Sequence, residues 1–422
     1  MNAQFASILS ARILANVLQA VNVIVLARAV APSDIGMTSA IIGFCMVLFT
    51  ITDFGLSTLI SKSYAREDHV MVASALRFTT MTTWGFGTLA FAVGLGLSAG
   101  DLIPLSMTAL ILSVAIDRCV EYRLSVPIAA DSKVVPASSI LLRRGIQFLI
   151  FVALVIGGVS ALWAYCLAQL IGALAGYVQS TYFLRSRVVK IADRLPWRTV
   201  LTNSYAFFVN SVTAQITTLD TFLVSLFSGA HSAGLYAAAS RVTSPLILIP
   251  GTLASTVLPP AARATPAQAR KIGVRLTMLL PVVLAIAAPA GYFVAEPLCQ
   301  LLYGADYRPA GLPLTVLVVG IPFAILAAAL SAILQAQGNE QFVAKVGVGF
   351  AVVFISAIGV GGHLYGAFGA AIGGCAAAAL NCIPLVIKVF GLRDAPEAAD
   401  HRPLGTADLA AAPAVGAGTS EK

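Results

Sequence analysis

The sequence predicts an all-α polytopic membrane protein, with about twelve transmembrane helices arranged around a central cavity. About twelve apolar runs of roughly 18–25 residues follow one another, which is the length a helix needs to cross a hydrocarbon core of ~30 Å. In addition, 59% of the residues are hydrophobic and only 10% are charged, whereas charged residues make up about 25% of a soluble domain. The predicted runs are 5–27, 36–60, 77–98, 102–125, 139–158, 161–184, 203–227, 234–258, 274–295, 311–335, 342–361 and 366–389.

The basic residues give the predicted orientation. Arg28 and Arg308 lie in gaps on one side, and Arg12 and Arg241 lie within runs. Every other Lys and Arg falls in the alternate gaps on the opposite side, in the helix ends beside those gaps, or in the C-terminal segment. Because basic residues in short loops stay cytoplasmic, both termini are predicted to be cytoplasmic. The net charge of +8 is then explained by loops that meet anionic lipid, rather than by binding to nucleic acid.

The runs divide into two halves at a basic loop. The predicted domains are an N-terminal six-helix bundle at 1–195 and a C-terminal six-helix bundle at 196–391. An even number of helices in each half would make the halves parallel repeats with a cavity between them. The tail at 392–422 is rich in Ala, Pro and Gly, so it is predicted to be a disordered cytoplasmic segment.

The starts of the two halves share a weak internal repeat. At an offset of 198 residues without a gap, Gly36 aligns with Gly234, and Asn22 aligns with Asp220. Matching glycine and polar positions under one register supports the division into two related halves.

Polar residues in the first run form a stripe on one helical face. Arg12, Asn16, Gln19 and Asn22 follow one another at spacings of four, three and three. A polar stripe that faced lipid would be costly, so we expect this face to line the cavity. Arg12 either extends to the cytoplasmic headgroups or is a cavity cation that binds an anionic headgroup together with Asn16, Gln19 and Asn22.

Charged residues in later runs are the remaining site candidates. Asp220 and Arg241 lie at similar depth in neighbouring helices, so they either form a stabilising pair or separate in use. In the second case Arg241 binds an anionic substrate while Asp220 takes a coupling cation or proton. Asp53 either caps or pairs locally or serves the same coupling role. Arg143 and Arg144 at the predicted cytoplasmic mouth either anchor the helix or capture a phosphate.

Several other classes of protein are not supported by the sequence. The six cysteines are scattered without CxxC spacing, and no GxxxxGK[ST] segment is present, so neither a metal nor another cofactor is expected. A membrane enzyme such as a polysaccharide polymerase would need a long outward loop or an acidic catalytic cluster. The longest such loop, 296–310, offers only Glu296 and Asp306. The sequence therefore predicts a protein without enzymatic activity.

Short segments along the chain resemble the oligosaccharide flippases of the Wzx type, in the multidrug/oligosaccharidyl-lipid/polysaccharide exporter superfamily. They occur in the family's order on a frame of twelve helices, whereas the murein-precursor flippases of that superfamily usually carry fourteen. The segments are Leu26-Ala27-Arg28 with Pro32 to Gly36, Asp53 to Leu56 with Ala65-Arg66, Asp220 with Gly234 to Ala238 and Arg241, Tyr303 to Tyr307, Gln337 to Asn339, and Tyr365 to Ala371.

This resemblance implies a function and a location. A flippase of this kind moves an undecaprenyl-diphosphate-linked oligosaccharide across the bacterial plasma (inner) membrane by alternating access, for exopolysaccharide, capsule or O-antigen (lipopolysaccharide) synthesis. A proton or sodium gradient and a polymerase or export complex are possible partners. The alternative is an ion-coupled multidrug or metabolite antiporter of the same superfamily, which would require acidic groups in the cavity.

Overall fold

The computed structural model describes residues 2–130, 134–185, 195–247, 250, 261 and 264–392, and in the first helix it describes side chains from residue 14 onward. This part of the chain forms twelve α-helices and no β-strand. The predicted disordered tail lies outside the described residues from residue 393 onward. The helices are α1 (Asn2–Ala27), α2 (Pro32–Asp53), α3 (Leu56–Ala65), α4 (His69–Ala99), α5 (Ser106–Ala129), α6 (Val134–Ile156), α7 (Ala161–Arg185), α8 (Trp197–Gln215), α9 (Asp220–Thr243), α10 (Pro266–Tyr303), α11 (Gly311–Ala336) and α12 (Glu340–Phe390).

Many of these helices have the length and composition of membrane spans. Among the described residues, seven helical stretches are long and apolar enough to cross a bilayer, and α1 adds the shorter apolar stretch Leu14–Ala27. The seven stretches include α2, α6, α7, α9, α10, α11 and α12. The all-helical, multi-pass membrane class predicted from the apolar runs is therefore confirmed.

Helix breaks fall at positions that hydropathy alone does not report. The predicted run 36–60 is divided into α2 and α3 because Phe54 and Gly55 both have positive φ, of 50° and 70°. Gly229 has φ 82° within α9 and turns the chain between two predicted runs. Gly366 has φ 60° within α12 and does the same for the last two runs. Three of these four residues are glycine, which adopts positive φ without a steric penalty.

The most extensive helix–helix contact among the described helices joins α2 to α9. At its centre a Cβ atom on Gly36 would overlap the carbonyl oxygen of Ala230 and the amide of Gly234. Conversely, a Cβ atom on Gly234 would overlap the carbonyl oxygen of Pro32. We call the contact made by Pro32, Gly36, Ala230 and Gly234 the glycine seam. Only glycine allows backbones of two helices to approach this closely.

The glycine seam is reciprocal under the offset of 198 residues that the sequence suggested. Pro32 corresponds to Ala230 and Gly36 corresponds to Gly234. Gly36 contacts Ala230, and its counterpart Gly234 contacts Pro32. Exchanging each residue for its counterpart turns the contact of Gly36 with Ala230 into the contact of Gly234 with Pro32. This is the pattern of an interface across a two-fold axis.

The same end of α2 carries a second contact to the later part of the chain. Arg28 donates hydrogen bonds from Nε to the carbonyl oxygen of Leu302 (2.9 Å) and from Nη2 to that of Leu301 (2.5 Å). These carbonyls belong to the last turn of α10, where backbone acceptors have no partner within the helix. Arg28 therefore caps α10 beside the glycine seam.

Candidate functional site

Two adjoining cavities lie along α2 and α5. One has a volume of about 580 Å³ and is lined by residues of α2, α3, α5, α6 and α8. The other, of about 180 Å³, is lined by residues of α1, α2, α5, α6, α7 and α9. Both are lined by Met46, Asp117 and Arg144. The two cavities therefore form one polar region that residues from early and late parts of the chain enclose.

Three arginines face this region. Arg118 lines the larger cavity, Arg144 lines both, and Arg241 lines the smaller one. We call the whole region the arginine cavity. Arg144 donates from Nη1 to Gln147 Oε1 (2.9 Å) and Gln169 Oε1 (3.4 Å), and its Nη2 lies 3.8 Å from Asp117. Among the described residues, the Arg241 side chain donates no hydrogen bond, and it lines the smaller cavity.

Arg143, one residue before Arg144, has a different environment. It is only 6% exposed and forms ion pairs with Asp117 and Glu121, both at 2.6 Å. Gly172 and Gly176 of α7 leave space for its backbone and aliphatic chain. Of the two roles predicted for Arg143, these contacts fit the anchoring of its helix rather than the capture of a phosphate, and the cytoplasmic position stays a prediction. Its two carboxylate partners draw it into the packing of α5, α6 and α7, while Arg144 faces the cavity.

The polar stripe of α1 divides in the same way. Asn16 and Gln19 line the smaller cavity, and Gln19 Nε2 donates to the hydroxyl of Tyr165 (3.3 Å). Asn22 is 0% exposed, lines neither cavity, and has no hydrogen-bond partner among the described residues. Its assignment as a cavity residue is corrected to a buried position, because this turn of α1 packs against other helices. The Arg12 side chain lies outside the described residues.

The two acidic candidates lie in separate surroundings. Asp53 lines the larger cavity, where its Oδ2 accepts a hydrogen bond from Ser57 (3.4 Å). Asp220 accepts hydrogen bonds from the amide and hydroxyl of Thr221 (2.5 and 3.1 Å) and from Tyr236. Asp220 and Arg241, both described, form no ion pair, although they are close enough for an electrostatic interaction; of the two predicted arrangements, the closed stabilising pair is therefore absent. The Asp220 carboxylate accepts hydrogen bonds from Tyr236 and Thr221 instead.

Sequence reasoning missed part of the cavity lining. In the sequence, Asp117, Arg118 and Glu121 indicate only a cluster of charges near a helix end, and Gln169 carries no signal. The available signal was that Asp117 and Glu121 are four residues apart and share one face of α5. Among the described residues no group of His, Cys, Asp and Glu has the geometry of a metal site.

Solved structures of membrane transport proteins share this fold. The lipid II flippase MurJ in an inward closed conformation gives a TM-score of 0.71 at 15% identity, covering 90% of this chain and 87% of that one. An inward-facing multidrug resistance MATE family transporter of the MOP superfamily gives 0.67 at 13% identity, covering 89% and 93%. A MOP superfamily transporter from Pyrococcus furiosus gives 0.61 at 14% identity, covering 92% and 93%. The chain therefore has the fold of flippases and multidrug transporters of that superfamily.

The family follows from the sequence match. A family model described as polysaccharide biosynthesis protein matches residues 2–264, which is more than half of the chain, so this chain belongs to that family. The resemblance noted from the short segments is confirmed at this level. No curated protein matches the chain in sequence.

Proposed function

We propose that the protein is a flippase for an undecaprenyl-diphosphate-linked oligosaccharide, serving the synthesis of exopolysaccharide, capsule or O-antigen at the bacterial plasma membrane. The family supplies the biosynthetic context, and the fold supplies the transport architecture. The observation that carries the proposal is the arginine cavity, which presents Arg118, Arg144 and Arg241 toward one polar space. The diphosphate headgroup would cross there while the lipid tail stays in the bilayer.

The balance of charge in the cavity favours an anionic substrate. Three carboxylates line it, but Asp117 and Glu121 are bound by the buried Arg143. With Arg143 included, four guanidinium groups face three carboxylates, so the region carries a net excess of one positive charge. Arginine binds phosphate through two parallel hydrogen bonds, so this lining suits a diphosphate. A cavity for cationic drugs would need the opposite excess, which is why the antiporter remains the second candidate.

The arrangement of the helices supports transport by alternating access. The proposed halves are 1–195 and 196–391, with both termini cytoplasmic. Arg118 and Arg144 belong to the first half, and Arg241 belongs to the second, so a ligand in the cavity would touch both. The glycine seam would keep one end closed while the cavity is open at the other, and the reciprocity of the seam supports a two-fold relation between the halves.

The proposed function is tested in the native host. Arg241→Gln and Arg12→Gln variants are compared with Arg77→Gln, which removes an exposed arginine of α4 that lines neither cavity. At matched protein abundance, we expect Arg241→Gln and Arg12→Gln to reduce polysaccharide export and to accumulate lipid-linked precursor on the inner leaflet. Arg77→Gln should export normally. Normal export from both cavity variants would remove the site assignment, and normal export after gene deletion would favour the antiporter.

A further inference from the structure

The guanidinium group of Arg118 lies in the arginine cavity, where no oxygen atom of a described residue accepts a hydrogen bond from it. Its Nη2 contacts only the sulfur of Met46 at 2.7 Å, and its buried Nε has no hydrogen-bond partner among the described residues. A thioether is a weak acceptor, whereas a guanidinium has five N–H donors. By contrast, Arg123 on the same helix donates to Thr181 and Tyr177. Among the described residues, Arg118 therefore has N–H donors without an oxygen acceptor, whereas Arg123 has two such acceptors.

The carboxylate of Asp53 has the complementary feature, an acceptor atom without a donor among the described residues. Asp53 is only 5% exposed; the amides of Leu56 and Ser57 lie close to its carboxylate, but its buried Oδ1 accepts no well-aligned hydrogen bond from the described residues. A buried acceptor without a donor costs free energy that most proteins avoid. Asp53 is close enough to Arg118 for an electrostatic interaction, and both line the larger cavity. The two nevertheless form no ion pair.

Local structure explains why the pair is open. Ser57 of α3 holds Oδ2 of Asp53, and Met46, on α2, holds the guanidinium of Arg118. Asp53 is the last residue of α2, and Phe54 directly after it has φ 50°, which is unfavourable for a residue with a side chain. The carboxylate thus sits at a helix break, where a small change in backbone angles would move it toward or away from Arg118.

We propose that Arg118 is a further substrate-binding residue, which holds a phosphate of the lipid-linked diphosphate, and that Asp53 competes for Arg118 when the headgroup leaves. This inference rests on the proposed function and deepens it. With substrate bound, the phosphate oxygens satisfy the free donors of Arg118. With substrate gone, Asp53 takes those donors, so the headgroup is released rather than retained.

The helix break also connects this exchange to the rest of the molecule. The Phe54 ring stacks on that of Phe208 in α8, with centroids 5.2 Å apart. α8 belongs to the other proposed half. A movement of Asp53 toward Arg118 would therefore act on a contact between the halves, which gives substrate release a direct structural link to alternating access.

The test is a binding measurement on the purified full-length protein in lipid nanodiscs, with farnesyl diphosphate as the probe and farnesol as the uncharged control. The variants are Arg118→Gln, Asp53→Asn, the double variant and Arg241→Gln, with Arg77→Gln as matched control. We expect Arg118→Gln to weaken binding by about tenfold, the equivalent of ~1.4 kcal/mol. Asp53→Asn should tighten binding several-fold and slow precursor export. The double variant should bind like Arg118→Gln, because Asp53 acts only through Arg118.

The outcomes separate this inference from the proposed function. Normal binding by Arg118→Gln, with weakened binding by Arg241→Gln, would overturn the role of Arg118 and leave the flippase proposal standing. Tighter binding on adding Asp53→Asn to Arg118→Gln would overturn the competition. Failure of the wild-type protein to prefer farnesyl diphosphate over farnesol would overturn both. If Arg118→Gln does not fold, Arg118→Lys replaces it; normal binding by that variant would overturn bidentate phosphate binding.

Discussion

The glycine seam and the arginine cavity lie along the same helix, α2, and differ in almost every physical respect. In the seam, Gly36 and Gly234 bring backbones into direct contact and leave no room for a side chain. In the cavity, Arg118 and Asp53 face an open polar space with atoms that lack partners. One region has the packing that stabilises a structure, and the other has polar atoms without partners among the described residues, where the proposed ligand would bind.

This difference predicts which substitutions should affect stability and which should affect transport. Contacts that are complete in the structure contribute to folding, so removing them should lower the thermal stability. Groups that are incomplete contribute little to folding, so removing them should alter binding and export first. Four variants test this difference, and their expected losses of stability decrease from Arg143→Gln through Gly234→Ala and Arg28→Gln to Arg241→Gln.

The largest loss is expected from Arg143→Gln. This variant leaves Asp117 and Glu121 without the cation that binds both at 2.6 Å. Because Glu121 is half exposed and Asp117 keeps Arg144 at 3.8 Å, the loss should lie at the lower end of the about 3–5 kcal/mol that breaking a buried pair from one side costs. Thermal unfolding in detergent measures the effect, with Arg77→Gln as control. Neutralising all three residues with Arg143→Gln, Asp117→Asn and Glu121→Gln should recover much of the stability. A single variant as stable as wild type would contradict the assignment of Arg143 to the packing.

The next loss is expected at the glycine seam. In Gly234→Ala the new methyl group meets the backbone of Pro32, which cannot move aside as a side chain would. Overpacking of this kind costs about 1–3 kcal/mol. The control is Gly349→Ala, since a Cβ atom there has nothing within 4 Å. Equal thermal stability of the two variants would show that α2 and α9 are not in close contact in the membrane.

A smaller loss is expected from Arg28→Gln, which removes the cap on α10. Arg28 is exposed, so the lost hydrogen bonds and helix-end interaction should cost about 1 kcal/mol. Arg308→Gln is the matched control, because Arg308 forms an exposed ion pair with Glu296, of a kind worth about 0–1 kcal/mol. If Arg308→Gln costs more than Arg28→Gln, the cap of α10 is not a principal contact at this end.

The smallest loss of stability is expected from Arg241→Gln, although its effect on export should be large. The Arg241 side chain donates to no described residue, so its removal leaves no described hydrogen-bond acceptor without a donor and weakens only its electrostatic interaction with Asp220. The melting temperature should stay near that of the wild type while lipid-linked precursor accumulates in cells. A marked fall in the melting temperature, with export lost only in proportion to protein abundance, would move Arg241 from the cavity lining to the structural contacts.

Much of the fold was predictable, because apolar runs report directly which segments cross a membrane. The breaks were not predictable, since hydropathy carries no information about φ. Phe54 and Gly55 divide a run in which Asp53 is the one charged residue. The repeat was visible as the alignment of Gly36 with Gly234, but only the structure shows that these two glycines touch.

The site was predicted in part, for a reason that Arg143 and Arg144 make clear. Adjacent residues on a helix point about 100° apart, so one is buried against Asp117 and the other faces the cavity. The sequence gives both residues equal status, because the rotation of α6 relative to α5 depends on tertiary packing. The same limit applies to Gln19 and Asn22, of which only Gln19 lines the cavity.

The central claim is that the arginine cavity binds an anionic lipid headgroup, and ligand-dependent thermal stability tests it most directly. A ligand that binds only the folded protein raises the melting temperature in proportion to its binding free energy. We expect farnesyl diphosphate to stabilise the wild-type protein, farnesol at the same concentration to have no such effect, and Arg241→Gln to lose the stabilisation. Equal stabilisation by both compounds, or undiminished stabilisation of Arg241→Gln by farnesyl diphosphate, would contradict the claim.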